Sequence, residues 1–189
     1  MRMVSSPPNR AGVIFEFERD HAGTLRGIPM IVRFNLDQCG VKLSAKQWSR
    51  LGHKIRAALV ARPCRAEAET ATYRNELIAA IRSHSAEEPK FIEIEQHPAW
   101  QSRDHVPAQL LASAAARHFP SIDVEQWSSL SDLQRFVLCK LTRAGHDNDN
   151  FESAMIEFGL LRAAPRDRVP VSPDRAMNDD RGHRSGNRL

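Results

Sequence analysis

Leu43-Ser44-Ala45-Lys46-Gln47-Trp48-Ser49-Arg50-Leu51 and Ile122-Asp123-Val124-Glu125-Gln126-Trp127-Ser128-Ser129-Leu130 share one pattern. Each runs as an apolar residue, a small polar cap, two spacers, Gln, Trp, and then Leu three positions later. Ser44/Gln47 and Asp123/Gln126 have the spacing of a capping box. In that motif the short side chain accepts from an orphan amide of the first turn, and the Gln reaches back to the cap amide. Both stretches therefore open helices.

The likeness extends in both directions. Ile28-Pro29 and Val106-Pro107 each stand at the head of a helical stretch, where a proline costs no hydrogen bond. Further upstream, Phe15-Glu16-Phe17-Glu18 and Ile92-Glu93-Ile94-Glu95 alternate apolar and acidic residues, the period of a half-buried strand. Downstream, Tyr73 and Leu77 correspond to Phe151 and Met155. Four elements in one order point to an internal duplication. Each unit reads as strand, helix A, helix B, helix C.

The expected helices are 29–39, 45–60 and 67–83 in the first unit, and 107–118, 124–142 and 150–158 in the second. Gly40 suits a left-handed stop, Gly159 ends the last helix, and Pro63 and Pro120 block continuation. At 100° per residue, Trp48, Leu51, Ile55, Ala58 and Leu59 share one arc. Trp127, Leu130, Leu133, Val137, Leu138 and Leu141 share the matching one, so both tryptophans read as core. Two short strands make no free-standing sheet. The predicted fold is mainly α, with two pseudo-symmetric strand-helix-helix-helix repeats at about 13–88 and 91–163. They form a single helical domain, 13–163, with a short two-stranded β ribbon.

The ends differ from this body. Residues 1–12 are polar, and 164–189 hold three prolines and few large apolar residues, so both read as disordered tails. The whole chain of 189 residues carries a formal charge of +4. The C-terminal tail has six Arg against four Asp, and Arg2 and Arg10 lie near the start. Without the ends, 11–163 balance at 19 basic and 19 acidic residues. A nucleic-acid module concentrates its positive charge in the folded part, so no nucleic-acid partner is expected. No apolar run is long enough for a membrane span or a signal peptide. Three cysteines without a CxxC fit neither a disulfide scaffold nor a zinc module. A cytoplasmic protein, monomer or homodimer, is the expectation.

Candidate chemistry is sparse. No G-x-S-x-G, Walker A or G-x-G-x-x-G pattern occurs, so no catalytic residue, metal or cofactor is assigned. Arg135, Cys139 and Arg143 share a stripe of the last helix B, and His146 follows it, with Asn148 and Asn150 beyond. Two guanidiniums on adjacent turns suit an anion or an acidic surface. The plainer reading is that cations complement a helix C-terminus, and Arg56, at the position matching Arg135, favours a structural role there. His97 and Trp100 follow the second strand. Cys64, before a helix start, is either a reactive thiol or a buried inert one. Gln134 lies inside the apolar arc, where it is expected to bridge to a loop backbone. Arg33 and Asp37 have the spacing of a helical ion pair.

These strings resemble the bacterial nitrate reductase associated protein family. The resemblance rests on Phe15-Glu16-Phe17-Glu18, Ile28-Pro29-Met30, Val32-Arg33-Phe34, Leu36-Asp37, Gly40-Val41-Lys42-Leu43 and Trp48. It continues through Pro63-Cys64, His97-Pro98-Ala99-Trp100, Gln126-Trp127, Gln134-Arg135-Phe136, Lys140-Leu141, Gly145-His146, Asn150-Phe151 and Glu157-Phe158-Gly159-Leu160. Gly27 stands where the family commonly has a cysteine, so no thiol pair is carried over. The resemblance implies a role beside nitrate reductase or the molybdenum-cofactor machinery in nitrate assimilation, and no particular reaction. The leading expectation is a non-enzymatic accessory protein for assembly, cofactor loading or regulation. Its binding residues would be His97, Trp100, Arg135, Arg143, His146, Asn148 and Asn150. The alternative is a small enzyme or binding protein for an anionic, pterin- or phosphate-like ligand.

Overall fold

A computed structural model describes residues 13–143 and 150–162. The two tails and residues 144–149, which include His146 and Asn148, lie outside the described residues. The chain opens with a 3-10 turn at Glu16–Glu18 and the short α1 (Arg19–Ala22). Then follow α2 (Met30–Cys39), β1 (Val41–Lys42), α3 (Ala45–Arg50), α4 (His53–Ala61) and α5 (Glu67–His84). The second half holds β2 (Lys90–Phe91), α6 (Ala108–Ala116), α7 (Val124–Ser129), α8 (Asp132–Leu141) and α9 (Asn150–Glu157). The architecture is mainly helical, with one small antiparallel ribbon that pairs Val41 with Phe91 and Lys42 with Lys90. One buried apolar cluster runs from Phe15 to Met155.

Both capping boxes form. Ser44 N donates to Gln47 Oε1 at 3.0 Å, and Gln47 N returns to Ser44 Oγ at 3.1 Å. Asp123 N and Gln126 repeat the exchange at 3.0 and 2.7 Å. Each box starts a helix of only six residues, α3 and α7. The continuous helices expected at 45–60 and 124–142 are instead broken at Leu51 and Leu130, whose backbones are extended. In the first case Gly52, a poor helix former, caps α4. In the second, Ser131-Asp132-Leu133-Gln134 is itself a capping box: Ser131 N donates to Gln134 Oε1 at 2.9 Å. Gln134 is therefore a helix cap and not a bridge across the core.

The breaks let each tryptophan turn inward. Trp48 and Trp127 are fully buried. Trp48 Nε1 donates to the Leu25 carbonyl and Trp127 Nε1 to the Ser102 carbonyl, both at 2.9 Å. Arg56 and Arg135 each stand over their tryptophan, 5.9 Å from the ring centre.

The strands predicted at 15–18 and 92–95 are absent. Phe15–Glu18 fold as a turn because carboxylates take up their amides. Glu18 accepts from Phe15 N at 3.1 Å and from Met30 N at 2.8 Å, tying the turn to the start of α2. Glu157 of α9 accepts from Glu16 N and Phe17 N at 2.9 and 3.0 Å. Alternation then places Phe15 and Phe17 beside Phe158 as an aromatic cluster. Residues 92–95 find no partner strand, since β1 pairs only with Lys90 and Phe91. One backbone bond from Ile92 N to the Gly40 carbonyl, 3.1 Å, holds that segment at its start.

Glu18 predicts a pH effect. Burial raises its pKa above the usual carboxylate value, although the Met30 and Phe15 amides and Arg33 oppose the shift. The folded state thus binds its proton more tightly than the unfolded one. This contribution to stability is present at low pH and is lost as pH rises through the folded pKa. The stability of the native chain relative to Glu18→Gln is expected to fall as pH rises above the ordinary glutamate pKa of about 4.3. Paired thermal melts below and above that value test this, and a pH-independent difference would refute it.

Candidate functional site

The principal concavity among the described residues is an open cleft of about 1070 Å³. Its floor is the last turn of α2 with β1, and its sides are the start of α5, the end of α8 and the segment 92–101. Gly40 makes this junction. It ends α2 in the left-handed region at φ 65°, where glycine is at no steric disadvantage. A Cβ there would lie 2.9 Å from Ile94 Cγ1 and 3.0 Å from the Ile92 carbonyl oxygen. Arg74 of α5 fastens the same corner, donating to the Cys39 carbonyl and lying 4.7 Å over the Phe91 ring.

The lining is mixed in charge. Arg33, Lys42, Arg65, Arg74, Lys140 and Arg143 face it, against Asp37, Glu67, Glu93 and Glu95. Lys140 Nζ meets Asp37 Oδ2 at 2.8 Å and bolts α8 to α2. Asp37 therefore pairs with Lys140, not with Arg33, whose Nε donates instead to the Ile28 carbonyl at 3.1 Å. Lys42, Arg65 and Arg143 are exposed and enter no ion pair among the described residues. Gln38 adds a buried amide nitrogen with no partner. Apolar lining comes from Leu36, Ile92, Ile94 and Trp100.

Of the residues expected at a site, Trp100 and Arg143 meet in this cleft. Trp100 is half-buried and packs edge-on against Phe34, with ring centres 5.1 Å apart. His97 is exposed and does not line the cleft, and Asn150 opens α9 elsewhere. Arg135 is corrected: it is no surface cation. Its side chain is fully buried, with Nε on the Trp100 carbonyl at 2.7 Å and Nη1 on the Leu130 carbonyl at 2.6 Å, while Nη2 contacts Asp132. It braces the tryptophan turn and leaves no donor group facing the cleft.

The thiols are also placed. Cys64 is buried, and desolvation raises its pKa against the bond to Thr70. Cys39 and Cys139 are pushed up to about 11, again by burial first. Such thiols stay protonated near neutrality and make weak nucleophiles. Ser102, Asp104 and His105 form a cluster that the sequence reading missed, because all three lie within one short loop. Ser102 Oγ and Asp104 Oδ1 approach the same imidazole nitrogen, His105 Nδ1, at 2.8 and 3.0 Å. A nucleophilic triad needs its Ser and Asp on opposite ring nitrogens, so this is a loop brace. Among the described residues no group of three or more His, Cys, Asp or Glu is placed to hold a metal ion. No helix there is long and apolar enough to cross a membrane.

The fold and cleft define a mainly α protein built round an open groove lined by both charges and apolar side chains. The chain belongs to the conserved nitrate reductase-associated protein family, whose pattern residues 14–158 match. Comparison with curated proteins and with solved structures gives no match.

Proposed function

We propose that this chain is a cytoplasmic, non-enzymatic accessory protein that engages nitrate reductase and aids its assembly, cofactor loading or regulation in nitrate assimilation. Membership of a family named for its association with nitrate reductase carries this reading. The buried, protonated thiols and the loop-bracing Ser–His–Asp cluster fit a binding role better than a covalent one. The cleft is the proposed binding site, with Trp100 supplying an apolar wall and Arg143 an unpaired cation. We also read the two tryptophan turns as copies of one duplicated unit, supported by their matching capping boxes and indole bonds.

An anionic pterin- or phosphate-like ligand is the second reading, favoured by Lys42, Arg65 and Arg143 along the lining. Arg143 is exposed, so Arg143→Ala is expected to weaken partner binding about tenfold and shift the melting temperature little. A large fall in melting temperature would mark Arg143 as structural. Native mass spectrometry of the protein gently purified from nitrate-grown source cells tests the whole reading. A retained reductase subunit supports it. A bare 21.3 kDa chain, together with unchanged reductase activity in cells lacking the protein, refutes it.

A further inference from the structure

The ribbon register places Lys42 directly opposite Lys90. Opposed residues of an antiparallel pair point to the same face, and like charges there destabilise the pair. Both lysines are exposed, and no ion pair relieves either of them among the described residues. More positive charge surrounds them. Lys46 Nζ lies 2.9 Å from Glu87 Oε1. Lys46 foremost, then Arg50 and Lys90, hold the Glu87 carboxyl below its usual range. Glu88, the next acid along, is turned to Arg82 at 3.2 Å. Three cations thus gather around the Glu87 carboxylate, and Lys42 stands opposite one of them across the ribbon.

Large apolar side chains sit beside this cluster. Phe91 is 54% exposed, Ile92 39% and Ile94 43%, three of the four large hydrophobic residues so exposed among those described. An apolar centre with a charged rim is the anatomy of a protein-docking surface. Glu93 and Glu95 alternate with Ile92 and Ile94, and all four line the cleft.

We propose that the ribbon face around Lys42 and Lys90, with Ile92 beside it, docks an acidic, apolar-spaced segment of a partner protein. The like-charge pair selects this occupant. A second copy meeting through the same face would set lysines against lysines, whereas carboxylates would relieve the repulsion the ribbon carries. The surface adjoins the cleft, since Lys42 and Ile92 also line it while Lys90 does not. Docking here thus deepens the reading of that cleft as a binding site. Loss of peptide binding would leave the reductase association, tested separately by native mass spectrometry, standing.

The test is fluorescence anisotropy of the full chain with a labelled synthetic peptide that alternates Asp or Glu with Leu or Phe. Saturable binding is expected, weakened about tenfold by Lys42→Glu with Lys90→Glu. It is also expected to fade between about 50 and about 300 mM NaCl. The pair Lys42→Ala with Lys90→Ala removes the repulsion, so it is expected to melt no lower than the native chain while also losing the peptide. Absence of saturable binding at low salt, equal binding by either double variant, or equal binding of a peptide with Lys in place of its acids would overturn the proposal. So would salt-sensitive self-association of the native chain that the alanine pair abolishes.

Discussion

Arg135→Ala is expected to destabilise the fold by about 3–5 kcal/mol. The guanidinium has no solvent exposure, and its donors are spent on the Trp100 and Leu130 carbonyls and on Asp132. Truncation strips two carbonyls of charge-assisted bonds and opens a cavity beneath Trp127. Each unsatisfied buried acceptor costs about 1–3 kcal/mol. At this chain length the loss corresponds to a fall of roughly 10 °C in melting temperature. Arg135→Lys keeps the charge but not the planar fork and should recover only part of it. Calorimetric melts of the three proteins decide the point. An alanine variant that melts within about 2 °C of the native chain would show that the buried network contributes nothing.

Trp48→Ala is the second large effect, about 3–5 kcal/mol. Trp48 is fully buried, and its loss also removes one of the two side-chain bonds to the Leu25 carbonyl. That leucine holds a left-handed backbone at φ 57°, a conformation that costs a non-glycine residue on the order of 1 kcal/mol. It is kept there because its carbonyl receives both Trp48 Nε1 and Arg56 Nη1, at 2.9 and 2.6 Å. Trp48→Phe retains most of the apolar contact, and Arg56 still caps the carbonyl, so less than half the loss is expected. Chemical denaturation of the set checks this ordering, and equal losses from Phe and Ala would contradict it.

Much of the helical frame is legible along the chain because its signals are short in range. A capping box spans three residues, and a left-handed glycine or a proline stop is read from one. The boxes at Ser44 and Asp123, the stop at Gly40 and the buried tryptophans follow from such codes. The helix breaks were legible too, in Ser131–Gln134 and in Gly52. They were masked by an apolar arc that runs on through them, since a periodic stripe does not register a two-residue kink. The strand reading of 15–18 failed for a different reason. Alternation over four residues suits a strand or a tight turn equally, and the choice fell to Glu157, some 140 residues away.

The cleft is of that second kind throughout. Arg143 and Arg135 lie on one helical stripe, yet the first reaches the cleft and the second enters the core. Lys140 finds Asp37 across 103 residues, and Lys42 meets Lys90 only through the ribbon register. What the amino-acid order dictated was local, because backbone hydrogen bonding and 3.6-residue periodicity act within a turn or two. Which cations are buried, which are paired and which remain exposed emerged from packing. A side chain's solvation and its charge partners are properties of the neighbours that folding brings to it from distant parts of the chain.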